Sequence, residues 1–183
     1  MQVSSPHQSE IRITLEAAID LANNERDGRL DVRSTLEGAG FPRAIRASAA
    51  SIERLSSRIS ELNSLIRELP ELEPHRASER VNEELTELVI APAIVDHDGV
   101  GPHLHWTPAT ATFDDQVMAD VLMALAQELC DNGTIRFGRC DASDCECLFY
   151  DATRNRSRRF CDDPRCASRT HTANHRARAR DRS

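Results

Sequence analysis

Four cysteines near the end of the 183-residue chain constrain it more than any other feature. Cys140 and Cys145 enclose four residues, Cys161 and Cys166 enclose four more, and fifteen residues part the two pairs. Two close pairs about 12–20 residues apart have the arithmetic of a tetrahedral zinc site. Each pair sits on a tight turn that aims two thiolates at one point, and the segment between must fold back to bring the pairs together. The sequence predicts a hairpin for that segment, with Leu148-Phe149-Tyr150 running out, DATRNRS turning, and Arg158-Arg159-Phe160 returning. The metal also answers a folding problem. Beyond Phe149, Tyr150, Phe160 and a few aliphatics this end has little to bury, and a structural zinc supplies on the order of 10–16 kcal/mol to small modules of this kind.

Other ligand sets fare worse. Cys161 and Cys166 with His171 and His175 would imitate a two-Cys, two-His finger, but such fingers need about 12 residues between the Cys and His pairs. Only four are present, and Cys140 and Cys145 would be left without a role. Cys147 is open to three readings: a spare thiol, a redox partner, or a small core residue. Cys130, at the end of a helix, reads as core.

Upstream, the patterning is mostly helical. Ile13 to about Asn23 carries an apolar stripe of Leu15, Ala18, Ile19 and Ala22. Gly28, Gly38 and Gly40 punctuate a loop region. Pro42 opens a long helix to Leu69, with Ile45, Ile52, Leu55, Ile59, Leu62, Ile66 and Leu69 in alternating three- and four-residue steps broken only at Ser48. A third helix spans roughly Ser78 to Leu88. The period then changes, and Ala93–Asp96 and His103–Thr107 read as two short strands around HDGVGP. A last helix runs from Phe113 to about Cys130, with Asp114 expected as its N-cap and Asn132-Gly133 as its end. His103 and His105 share a strand face, with Asp96, His97 and Asp98 across the turn, but no third ligand falls at a recognisable metal spacing.

The expected fold class is therefore α+β, mostly helical. A helical domain over 1–131, with a small hairpin near 93–107, precedes a treble-clef-like zinc module over 132–183 built of knuckle, hairpin and helix. No phosphate-binding Gly loop, nucleophile elbow or HExxH occurs, so nothing points to an enzyme and no catalytic residue is expected. No apolar run approaches the ~20 residues that span a bilayer. MQVSSPHQSE has neither the basic start nor the apolar run of a secretory signal, so the expected location is the cytoplasm, where clustered cysteines more often hold metal than form disulfides.

The net charge of −7 hides an asymmetry. From Leu148 onward ten arginines face four aspartates, and the chain has no lysine. A basic end on an acidic protein points to a localised anionic partner, with DNA the first candidate. Arg156, Arg158 and Arg159 on the expected hairpin, with Arg169, Arg176, Arg178 and Arg180 on the helix after it, are the candidate nucleic-acid contacts. A frayed, solvated tail is the plain alternative.

This end of the chain, about residues 134–180, resembles the CGNR zinc finger. The likeness lies in the cysteine spacing, in LFYDATRNRSRRFC, and in the Arg-rich helix that follows. The rest is similar to the ABATE domain that precedes that finger, through DLANN at residues 20–24, the helical order and a late hairpin. The resemblance implies a bacterial, stress-responsive transcription regulator with one structural zinc on Cys140, Cys145, Cys161 and Cys166. In place of Cys-Gly-Asn-Arg the chain has Cys166-Ala167-Ser168-Arg169. Alanine would be strained there if the glycine served a positive φ, and Ser168 would be expected to replace the asparagine as a helix cap. Beside DNA binding stand two other readings: an interaction module for an acidic protein or RNA, and a redox or ligand sensor using Cys147.

Overall fold

The computed structural model describes residues 6–96 and 101–180. Seven helices and two hairpins follow in order: α1 (Pro6–Arg26), α2 (Val32–Gly38), α3 (Arg43–Arg46), α4 (Ala49–Glu68), α5 (Pro74–Thr86), β1 (Ala93–Asp96), β2 (Pro102–His105), α6 (Phe113–Asn132), β3 (Phe137–Arg139), β4 (Leu148–Tyr150) and α7 (Pro164–Arg180). β1 pairs antiparallel with β2 and β3 with β4, as separate two-stranded sheets.

Helices α1, α4 and α6 pack on one another and α5 covers α6. Leu15, Leu55, Ile59, Leu62, Leu122 and Leu125 are fully buried between them. The expected Pro42–Leu69 helix is broken in two. Ser48, the one gap in its stripe, is extended, and its side chain accepts the Ser51 N–H as the N-cap of α4. Ile45, on the α3 side of that break, is 66% exposed. The Gly28–Gly40 region, expected as loop, holds α2, capped by Asp31 and burying Val32 and Leu36. Its seven residues are too short for a periodic signal. Helix α6 begins one residue before the expected Asp114 cap. Thr112 is the cap, while buried Asp114 takes both the Nε (3.1 Å) and an Nη (2.8 Å) of Arg54. A buried carboxylate needs its own cation more than a helix needs a second cap. Cys130, expected in the core, is exposed.

The β3–β4 hairpin belongs to this helical core. Phe137, Leu148 and Tyr150 are buried in the same cluster as the α1, α4 and α6 side chains. Asn23 of α1 clamps β4 like a neighbouring strand, donating to the Leu148 carbonyl (3.0 Å) and accepting its N–H (2.9 Å). The Tyr150 hydroxyl donates to buried Glu128 of α6 at 2.9 Å. A division at residue 131 thus leaves three core side chains on the far side.

One half-buried acid has no such partner. Asp120 of α6 makes no ion pair or hydrogen bond among the described residues, and burial pushes its carboxyl up to about 7, against the pull of Arg43 and His103 and with the push of Glu10. A folded-state pKa above the unfolded value of about 4 means that the folded chain holds the extra proton. Stability from that proton is complete below pH ~4 and drains away as pH rises to about 7. Asp120→Asn is therefore expected to raise the melting temperature by several degrees at pH 8, on the order of 1–3 kcal/mol, and to do little at pH 4. Melting curves of both proteins at the two pH values check this.

Candidate metal centre and basic surface

The knuckle begins where β3 ends. The Cys140 N–H donates to the Cys147 carbonyl (2.9 Å), and the Cys145 N–H turns back to the Ala142 carbonyl (3.0 Å). Those two bonds close a tight loop with both thiols inside it. The second pair is set by α7. Asp163 accepts the Arg165 N–H at 2.9 Å just ahead of Pro164, a residue well suited to a first helical turn, which leaves Cys166 buried on that turn with Cys161 just upstream.

All four sulfurs lie within 4.8 Å of one another. Cys145 Sγ is 3.9 Å from Cys161 Sγ, which is 3.7 Å from Cys166 Sγ. Four sulfurs at the ~2.3 Å of a zinc–thiolate bond stand about 3.8 Å apart, so the cluster has the dimensions of a tetrahedral zinc site. Burial pushes the thiols of Cys145 and Cys161 up to about 12 and Cys166 to about 11. Cys140 goes the other way. Burial opposes its ionisation, but the N–H groups of Cys161 and Ala142 aimed at its sulfur prevail. Thiols packed this closely ionise together only around a cation. Arg169 adds a further donor, 3.5 Å from Cys166 Sγ. These residues make a site for one structural zinc, closed by four protein ligands. The small cluster around it, Cys140, Ala142 and Cys166 with Phe160 alongside, consists largely of the ligands themselves. Removal of the metal removes the core.

The rival ligand set is excluded by placement. His171 packs edge-on against Phe160 with ring centroids 5.8 Å apart, and His175 is exposed. Cys147 lies outside the four-sulfur cluster, its sulfur 3.1 Å from the Arg26 guanidinium of α1. His103 and His105 meet through their Nε2 atoms at 3.2 Å, but the four cysteines are the only group of three or more metal-ligating side chains brought together among the described residues. His97 and Asp98 lie outside those residues.

The hairpin expected between Leu148 and Phe160 does not form. Strand β4 pairs instead with β3, in register Phe137 with Tyr150 and Arg139 with Leu148. The signal for that pairing was Gly138. A Cβ there would stand 2.5 Å from the Phe149 ring, so only glycine lets the ring lie across β3. After β4 the chain turns on Asp151, whose carboxylate accepts the N–H groups of Thr153 and Arg158, both at 2.8 Å. Asn in place of Ala167-Ser168 is not needed as a cap, because both residues lie within α7. Ala167 has no positive φ, and Ser168 donates to the Pro164 carbonyl at 3.1 Å. Alanine is the better helix former at that position by about 1 kcal/mol over glycine.

The arginines divide into two groups. Arg158 is structural: it pairs with Asp162 (2.8 Å), donates to the Phe160 carbonyl (2.8 Å) and lies over the Phe149 ring. Arg159 pairs with Asp141 at 2.6 Å, Arg165 with Asp163 at 2.7 Å and Arg169 with Asp144 at 3.1 Å. Exposed Arg154, Arg156, Arg176 and Arg180 make no ion pair among the described residues, and Arg178 reaches only the Asn174 carbonyl. At 100° per residue, Arg165, Arg169, Arg176 and Arg180 fall within about 60° of one another, in a single stripe along α7. Beyond residue 170 this helix is exposed throughout.

Residues 136–179 match the family model of the CGNR zinc finger. The match takes in all four cysteines, the β3–β4 hairpin and most of α7. No curated protein matches the chain.

Proposed function

We propose that this chain is a DNA-binding transcription regulator of the bacterial, stress-responsive kind, which uses its zinc to hold an arginine-bearing helix against duplex phosphates. No catalytic step is assigned to it, and residues 1–131 are read as an ABATE-like domain that carries the signal in a cytoplasmic protein. The observation behind this reading is the stripe on α7. Arg176 and Arg180 sit on the part of that helix beyond residue 170 that is exposed throughout, with no acidic partner among the described residues. A helix polar all round gains little from its own fold and has most to gain from a polyanion laid along it. Arg154 and Arg156, on the turn after β4, supply the same unspent charge.

Four thiolates around zinc leave a local charge of about −2, but Arg169 stands against Cys166 and offsets part of it. Phosphate contacts give affinity rather than sequence choice, so binding should be general and steep in salt. Arg176→Ala with Arg180→Ala is expected to weaken duplex binding on every sequence and to flatten the salt slope by roughly one unit per lost contact. Arg33 and Arg67, committed to backbone carbonyls of the helical core, serve as comparison sites that leave binding unchanged. Gel shifts of the zinc-loaded protein on random duplex across a salt series decide it. Undiminished binding by the double variant, with zinc retained, would contradict the proposal in favour of an interaction module for protein or RNA.

A further inference from the structure

Away from the zinc site, α1, the 40–43 loop, β2 and α6 enclose a cavity of about 370 Å³. Its size falls in the range of small-molecule sites. The walls are mostly apolar and include Phe41, Trp106 and Phe113 together with Asp120. We propose that this cavity binds a small organic cation, an aromatic or aliphatic amine whose ammonium group meets Asp120 and whose hydrocarbon part lies among those three rings.

The charges in and around the cavity select that class. Asp120 has no hydrogen bond or ion pair among the described residues. Arg43 lines the same cavity, with one Nη donating to the Gln116 amide oxygen at 2.6 Å. Glu10 adds a second carboxylate at the exposed edge. His103 and His105 are turned to each other, Nε2 to Nε2 at 3.2 Å, with His103 Nδ1 held by the Gly101 carbonyl at 2.8 Å. An ammonium group gives Asp120 the charge-assisted hydrogen bond it lacks, and electron-rich ring faces attract the same cation. A metal ion does not fit as well, since no third metal-ligating side chain joins the two histidines among the described residues. An anion would face the carboxylates of Asp120 and Glu10.

Trp106 is the chain's one tryptophan, so its fluorescence reports on the cavity and not on the arginine helix or DNA. The test titrates the full zinc-loaded protein with three compounds of matched hydrocarbon part: 2-phenylethylamine, 2-phenylethanol and phenylacetate. The amine is expected to bind about tenfold or more tighter than the alcohol at pH 8, and phenylacetate weakest. The preference should shrink towards pH 6, where Asp120 takes up a proton, helped by Glu10 and opposed by Arg43 and His103. Asp120→Asn, a change that leaves the fold intact, should bring amine and alcohol to equal affinity. Equal binding of the three by the parent protein, tightest binding of phenylacetate, an amine preference that survives Asp120→Asn, or no response of Trp106 to the amine would each overturn the proposal.

Discussion

Replacing Cys161 by serine is expected to release the zinc and melt residues 152–180 while the helical core stays folded. The expectation follows from what surrounds the metal. The module's own core is little more than its ligands, with Ala142 and Phe160 beside them. The ~10–16 kcal/mol that a structural zinc contributes has no apolar substitute there. The hairpin of β3 and β4 should survive, because Phe137, Leu148 and Tyr150 are buried among the helices and Asn23 holds the β4 backbone. Native mass spectrometry reads the metal, and amide hydrogen exchange reads the melting. The expected pattern is loss of about one zinc per chain with exchange protection lost in α7 and kept in α1, α4 and α6. A variant that keeps stoichiometric zinc would mean that these four thiolates are not the ligand set.

Shortening the chain after Asn132 removes the zinc site and the β3–β4 hairpin together, and here the helical core itself is expected to collapse. Phe137, Leu148 and Tyr150 each fill a place in that core, and deleting a large buried side chain costs about 2–5 kcal/mol. Three such losses are on the order of the whole stability of a small domain. Glu128 would also lose the Tyr150 hydroxyl and the nearby Arg136, leaving a buried carboxylate with Asn132 at the new, frayed chain end as its remaining partner. The shortened chain should aggregate or unfold without a cooperative transition. Full-length protein treated with a chelator should still melt cooperatively in its helical part. If the shortened chain melts as sharply as the parent, the hairpin is an ornament on the core and the cut at 131 is a true domain boundary.

The two experiments separate what was legible in the sequence from what was not. The zinc site was legible because a ligand set is written in residue type and spacing, both of which survive any uncertainty about the backbone. The long helices were legible for a similar reason: Leu55, Ile59, Leu62 and Ile66 repeat at helical period over enough turns to leave no other fold. Short elements carry no such repeat, and α2 was hidden among glycines for that reason. The pairing of β4 was misread because a turn-rich segment, DATRNRS, looked like a hairpin loop. Asp151 instead uses that segment's backbone donors to build a turn with no returning strand. The true partner, β3, is three residues long and announces itself only through Gly138, whose meaning depends on where the Phe149 ring lies. Among the arginines, charge was visible and commitment was not. Arg158 and Arg176 look alike in the sequence, yet one is tied to Asp162 and Phe160 while the other is unspent.

One zinc, held by four thiolates, organises the end of the chain that carries the exposed arginines. Zinc K-edge X-ray absorption on the purified full-length protein tests it most directly. The expected spectrum is a single shell of four sulfurs at about 2.3 Å. A mixed shell with nitrogen at about 2.0–2.1 Å would bring a histidine such as His171 into the site and contradict the geometry from which the position of α7 follows.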